Sequence, residues 1–357
     1  MKISIAHPDL TKKDRDYLLE AFDSSYISSA GDFIPKFEEA FAKFIGTKYA
    51  TTTSNGTTAL HLILEAIGVE GREVIVPSLT FGASAASVYH ARGRAKLVDC
   101  GEDWNISVNQ TRKAITSKTA GIMAVHLYGQ PANMDELKEL AEEKNVFLIE
   151  DCAESLGAEY KSKQTGSMSL AGAFSFYGNK VITTGEGGMV TTNDSELFEK
   201  MSEIKNHGMK KEKKYWHEMV GYNYRMTNMQ AAVGLSQLER IQKIISKRRE
   251  IDEIYRKKLD KEKFELQKDY PQRKKIPWLY PVLLKDETER DRVSSELKKE
   301  GIETRNFFYP LHQMKPYAQE GDFKNSEQYA SRGLLLPCHT KLSKKEIDFI
   351  CKKANEA

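Results

Sequence analysis

From about residue 50 the chain alternates short, almost continuously apolar runs with stretches whose apolar residues recur every three or four positions. That alternation leaves few folds open. Thr57 to Ile67 reads as a helix, with Leu60, Ile63, Leu64 and Ile67 at the i, i+3, i+4 and i+7 positions of one buried face. Val74-Ile75-Val76 follows as a strand, then a helical Ala83 to His90 and a strand at Ala95-Lys96-Leu97-Val98. A further strand runs from Ile122 to Leu127, a helix lies around Met134 to Lys144 with Asn133 or Asp135 as its cap, and Val146 to Ile149 is another strand. Strands this apolar are buried on both faces. The pattern therefore predicts an α/β fold, a mostly parallel sheet between two layers of helices.

After Asn228 the period becomes helical throughout, with Ala232, Leu235, Leu238, Ile241 and Ile245 continued by Ile251, Ile254 and Tyr255, and only Gly234 interrupting. This reads as one long connecting helix. With 357 residues, two cores are expected, and the helix divides a large domain, 1–240, from a smaller α+β domain, 241–357. The net charge is +3 with acidic and basic residues interleaved, so runs such as Lys210 to Lys214 read as solvated faces rather than a nucleic-acid surface. Cys100, Cys152, Cys338 and Cys351 show no CxxC spacing, which favours reduced thiols in a cytoplasmic protein over disulfides or a metal site. No signal-peptide core and no run near the ~20 apolar residues of a membrane span is expected.

Ligands of parallel sheets bind outside the carboxyl ends of the strands, so residues just past each strand are the chemical candidates. Asp151 follows Phe147-Leu148-Ile149-Glu150. It is either a cap for the next helix or the partner of a protonated pyridine nitrogen. Ser54-Asn55-Gly56-Thr57 opens a helix whose N–H groups can meet a phosphate, Gly56 and Thr57 foremost, although Ser54 or Thr57 could equally be an ordinary cap. Phe81, past Pro77-Ser78-Leu79-Thr80, is either core or a ring to lie on a cofactor. Lys180 sits between the aromatic run Phe174-Ser175-Phe176-Tyr177 and the turn Thr184-Gly185-Glu186-Gly187-Gly188. A lysine held there can be desolvated and act as an amine toward an aldehyde cofactor. With Lys180 present, the pyridine role of Asp151 outweighs the cap.

These segments resemble the DegT/DnrJ/EryC1/StrS aminotransferases, which aminate keto-sugars attached to nucleotides. The resemblance runs from Tyr26-Ile27-Ser28-Ser29 to Leu335-Leu336-Pro337. It implies a fold-type-I aminotransferase, a large domain with a seven-stranded-type sheet, and pyridoxal 5′-phosphate (PLP) carried by Lys180 and cycling through its pyridoxamine form (PMP). It also implies a homodimer with shared active sites. By resemblance, Gly56, Thr57 and Ser175 hold the phosphate, Phe81 stacks on the ring, and Asp151 and Glu154 face the ring nitrogen and phenolic oxygen. Asn223, in Gly221-Tyr222-Asn223-Tyr224-Arg225-Met226, reaches the phosphate of the neighbouring subunit. Tyr309 and His312, in Thr304-Arg305-Asn306-Phe307-Phe308-Tyr309-Pro310-Leu311-His312, border the substrate.

The segments Phe176 to Lys180 and Tyr215-Trp216-His217 look closest to members that aminate a 4-keto-6-deoxymannose on GDP with glutamate as donor. Ala86 stands where many relatives carry an amide, and Tyr89 to Arg94 is unusually basic. These departures keep a second acceptor open, a small phosphorylated ketone such as dihydroxyacetone phosphate. A non-catalytic binding or regulatory protein on the same fold is the reading from another class, against which the intact Lys180, Asp151 and Ser175 speak. Relatives that dehydrate sugars replace the lysine by histidine, and Gly185-Glu186-Gly187-Gly188 is no dinucleotide-binding turn.

Overall fold

The computed structural model describes residues 2–213 and 215–357. Met1 of the N-terminal segment and Lys214 of the Lys-rich run lie outside them. In chain order the first strands are β1 (Tyr49–Thr53), β2 (Glu73–Pro77), β3 (Arg94–Val98), β4 (Thr119–Val125) and β5 (Phe147–Asp151). A hairpin of β6 (Glu159–Tyr160) and β7 (Lys163–Gln164) precedes β8 (Ala171–Ser175) and β9 (Gly188–Thr192). The main sheet has seven strands in the order β1-β9-β8-β5-β4-β2-β3. Only β9 is reversed, pairing antiparallel with both β1 and β8. The other six point one way, so their carboxyl ends share one edge.

The alternation of side chains shows why these strands read as unbroken apolar runs. Val74, Val76, Met123, Val125 and Ile149 pack into one buried cluster with the helix Gly56–Ile67. Ile75, Ile122, Ala124 and Leu148 face the opposite cluster, closed by the helix Met134–Lys144. Both faces of the sheet are dry. At the β8–β9 side Phe174 and Met189 pack with Phe37 and Phe41 of the helix Phe33–Ile45.

The expected single long helix is two, Asn228–Leu238 and Ile241–Lys258. Gly234 is not the break. It lies inside the first helix, where a Cβ would come within 2.6 Å of the Phe37 ring. The break is at Glu239–Arg240, whose side chains are taken up by the N-terminal segment: Glu239 accepts from Tyr17, and Arg240 donates to the Asp9 carbonyl and to Asp14. The strand expected to reach Leu127 ends at Val125, because Tyr128 turns left-handed at φ +54°.

The C-terminal half builds a second, antiparallel sheet. Its strands are β10 (Glu265–Leu266), β12 (Tyr280–Leu283), β14 (Gly333–Leu336) and β13 (Arg305–Asn306), in that order, while β11 (Arg273–Lys274) pairs with β6. Ile251, Val293, Leu297, Ile347 and Ile350 cover it. Ile3 pairs with Ile302 beside this sheet. Among the described residues no helix is long and apolar enough to cross a membrane, and the four cysteines are free and buried.

One backbone contact ties the turn after β4 to the segment leading into β12. Gly129 has φ +87°, its carbonyl accepts the Ile276 N–H, and a Cβ there would lie 1.7 Å from the Ile276 carbonyl oxygen. Gly129→Ala is expected to cost about 2–4 kcal/mol of stability, since strain and a backbone clash act together. Denaturant unfolding of the two proteins measures it, and a loss under ~0.5 kcal/mol would show that this contact is not strained.

Candidate active site

At the carboxyl edge of the main sheet lies a cleft of about 700 Å³. It gathers Gly56, Thr57, Phe81, Asp151, Glu154, Ser175 and Lys180 from four separate segments. Asp151 is the last residue of β5. No helix follows it, so it is not a helix cap. Its Oδ2 accepts the Ser84 hydroxyl at 2.8 Å and its Oδ1 accepts the Ala153 N–H at 3.1 Å. Ser84 is in turn 3.0 Å from Thr80 Oγ1. Burial pushes the Asp151 carboxyl up, against the pull of Ser84, Ala153 and Lys180.

Lys180 closes a turn in which its N–H donates to the Tyr177 carbonyl. Its Nζ lies 4.0 Å from Glu154 Oε1 and 4.1 Å from the centroid of the Trp278 ring. Burial lowers the lysine, and the carboxylates of Glu154 and Asp151 only partly oppose this. Glu154 is held through its Oε2 by the Tyr128 N–H at 2.8 Å, and burial raises its carboxyl to about 7. The site thus collects one amine and two carboxyls whose charged forms burial disfavours.

The opposite wall is made of backbone. Asn55, not Ser54 or Thr57, caps the helix Gly56–Ile67, its Oδ1 accepting the Thr58 N–H at 2.9 Å while its own N–H goes to Thr58 Oγ1. The N–H groups of Gly56 and Thr57 are left without intrahelical acceptors. A Cβ on Gly56 would lie 2.7 Å from Ser175 Cβ, and one on Gly188 would lie 2.4 Å from the Asn55 carbonyl oxygen. These glycines let β8, β9 and the helix start converge on one hollow.

Glu150, beside Asp151 on β5, faces the other way. Ala132 N–H donates to His126 Nδ1, so the Nε2–H of a neutral His126 donates to Glu150 at 3.0 Å. Glu150 also accepts from Gly166, Met168 and Ser169. His126, Glu150 and Cys152 lie close together, but the imidazole and the carboxylate are fully engaged in fixing the strand ends.

A profile of the DegT/DnrJ/EryC1/StrS aminotransferase family matches residues 8–355. The chain belongs to this family. It is 43% identical over 357 residues to the GDP-perosamine synthase of Escherichia coli O157:H7, covering 99% of this chain and 98% of the relative. It is 45% identical over 355 residues to that of Caulobacter vibrioides, covering 97% and 96%. Among solved structures, Helicobacter pylori PseC, an aminotransferase involved in the biosynthesis of pseudoaminic acid, has a TM-score of 0.94 at 29% identity, with 100% of this chain and 99% of that chain covered. The putative sugar aminotransferase Spr1654 from Streptococcus pneumoniae, in its PMP form, has a TM-score of 0.94 at 26% identity, covering 100% and 97%. The protein is a PLP-dependent aminotransferase of the α/β fold.

The residues present fit that cofactor. A buried carboxyl, an amine of lowered basicity and a glycine-walled hollow of free N–H groups match its ring nitrogen, aldehyde and phosphate. Tyr309 and His312 are not brought to this cleft, and Asn223, expected to serve the neighbouring subunit's site, is exposed and also lies outside it. Tyr309 lines a separate depression with Glu287 and Arg290. His312 is engaged on both nitrogens, by Ser78 at 2.8 Å and Glu327 at 3.0 Å, and stacks on Phe323.

The cleft instead holds groups that the sequence reading does not assign to it. Trp278, Arg305 and Phe308 come from the C-terminal half, and Ser84 stands behind Asp151. Arg305 and Phe308 belong to the same family-like segment as Tyr309 and His312, whereas a lone Trp carries no motif.

Two substitutions test this electrostatic arrangement. Ser84→Ala removes a hydrogen bond to a buried carboxylate and is expected to lower kcat roughly 10-fold, as read by steady-state kinetics. Glu154 binds a proton more tightly folded than unfolded, so its burial costs nothing below about pH 4.5 and its full penalty above about pH 7. In the cofactor-free protein, stability of the wild type relative to Glu154→Gln should therefore fall by up to about 3 kcal/mol from pH 4.5 to 7. Parallel unfolding curves across that range would refute the assignment.

Proposed function

We propose that the enzyme transfers the amino group of glutamate to the keto carbon of a nucleotide-linked sugar, a 4-keto-6-deoxymannose carried on GDP. The observation that carries the chemistry is the Lys180 amine, held beside Glu154 and Trp278 in the same cleft as Asp151. The sugar is supported by three relatives at 40–45% identity across essentially the whole chain, each a GDP-perosamine synthase.

When bound, PLP would supply an electron sink that makes the Cα–H bond of the amino donor acidic. Gly56, Thr57 and Ser175 would hold its phosphate, and Asp151 would keep its ring nitrogen protonated. Glu154 would serve its phenolic oxygen, and Phe81, 60% exposed at the cleft mouth, would pack against its ring. Lys180 would hold the cofactor, and its free amine would move the donor's Cα proton, as base and then acid. Burial suits the lysine to this, because a lysine of ordinary basicity would stay protonated at neutral pH. Arg305 and Phe308, rather than Tyr309 and His312, are the cleft-facing groups of their segment, and Arg305 offers a guanidinium to an anionic substrate.

The working unit is a homodimer in which Asn223 serves the neighbouring site. Exposed apolar groups at the cleft mouth and along the 215–220 loop, Phe81, Tyr177, Trp216 and Val220 among them, support a covering second copy. A large domain of 1–240 and a small one of 241–357 frame the cleft, which draws Trp278, Arg305 and Phe308 from the latter. Reduced, buried cysteines support a cytoplasmic setting.

The test begins with enzyme converted to its amino form by glutamate, followed by single ketones and the visible absorption of the lysine-attached form. Return of the band with the GDP-linked 4-keto-6-deoxy sugar alone, and not its dTDP or UDP counterparts, is expected. Return only with dihydroxyacetone phosphate would overturn the sugar. Lys180→Ala should abolish turnover, and sustained catalysis by that variant would refute the role of the lysine.

A further inference from the structure

The segment after the helix Ser195–Ile204 carries Asn223 on an alternating run of side chains. Tyr222 and Tyr224 stack with ring centroids 4.7 Å apart, and both meet the His61 ring edge-on. Tyr224 Oη lies 2.9 Å from His61 Nδ1, its N–H donates to the Lys205 carbonyl, and its carbonyl accepts the Ser54 N–H. This inward face is thereby pinned to the helix whose first turn walls the cleft. In extended backbone successive side chains take opposite faces, so Asn223 and Arg225 face away from His61.

On that outer face Arg225 engages three groups. Its Nε donates to Asn223 Oδ1 at 2.9 Å, Nη1 to Asn206 Oδ1 at 2.9 Å, and Nη2 to His207 Nε2 at 3.2 Å. A guanidinium has donors only, so every atom facing it must accept. This settles the orientation of both amides: their oxygens face Arg225 and their NH2 groups turn away. Among the described residues neither NH2 has a partner. Asn206 and Asn223 also sit opposite each other in an antiparallel bridge, which places the two amides side by side.

We infer that Arg225 is a positioning residue whose fork fixes Asn223 with its NH2 outward, as a hydrogen-bond donor to the cofactor phosphate bound in a second copy of this chain. The inference rests on the shared-site reading above and adds to it the group that orients the shared residue. A lysine at 225 keeps the charge but loses the fork, because an ammonium is a point donor on a flexible stem.

Two experiments separate the inference from the reading beneath it. The first is a double-mutant cycle on PLP affinity, read by absorbance, with Asn223→Ala, Arg225→Lys and both together. Each single change is expected to raise the PLP dissociation constant on the order of 10-fold. If Arg225 acts through Asn223, the double variant should be at most about twofold worse than the worse single. Multiplying losses, or no loss in Arg225→Lys, would overturn the role of Arg225.

The second uses differentially tagged mixed dimers at limiting PLP, reading the band of the lysine-attached cofactor. Lys180→Ala paired with Arg225→Lys should show one site of wild-type affinity, since its intact Lys180 meets an intact Arg225 from the other subunit. The double variant Lys180→Ala/Arg225→Lys paired with wild type should show a weakened site. The reverse pattern would overturn the sharing of the site itself, whatever the cycle gives.

Discussion

One lysine and two carboxyls lie buried in one cleft at the end of a sheet, and much of the surrounding structure serves to hold them. Taking such charges from water costs several kcal/mol each unless partners replace the lost hydration. Asp151 has Ser84 and the Ala153 N–H, and Glu154 has the Tyr128 N–H. Among the described residues Lys180 has Glu154 at 4.0 Å and the Trp278 face, with no hydrogen bond to its amine. Burial therefore lowers the basicity of that amine.

The sheet makes the gathering possible because six of its strands end on the same side. β5 delivers Asp151, β8 delivers Ser175 and the turn to Lys180, and β1 leads into the start of the helix Gly56–Ile67. Burying both faces of these strands fixes their register, since a slip of one residue would exchange Val74 and Val76 for Ile75 between the two cores. Rigidity of the core is thus converted into placement of the cleft residues.

Much of this was legible in the order of residues. The periods of the helices at 56–67, 83–90 and 134–144 and of the strands between them follow directly from which side chains must be dry. Lys180 and Asp151 stand just past apolar runs where a parallel sheet binds ligands, while Gly56 and Ser175 gain their weight from the resemblance. Sequence was less informative where partners are remote. The break at Glu239–Arg240 depends on Asp9, Asp14 and Tyr17, over two hundred positions away, while local periodicity runs through it unbroken. His312 was chosen for its place in a motif, yet Ser78 and Glu327 engage both its nitrogens.

The sequence by itself determined the α/β class, the family and the candidate groups for the chemistry, because burial period and residue type are local properties written along the chain. Only the tertiary structure decided which groups surround Lys180, that Trp278, Arg305 and Phe308 face it from the C-terminal half, and that Tyr309 and His312 do not. It alone showed Arg225 donating to the Asn223 amide oxygen. The lysine's basicity and the amide's orientation are set by neighbours within about 4 Å, and which residues become neighbours is fixed by packing between segments far apart in the chain.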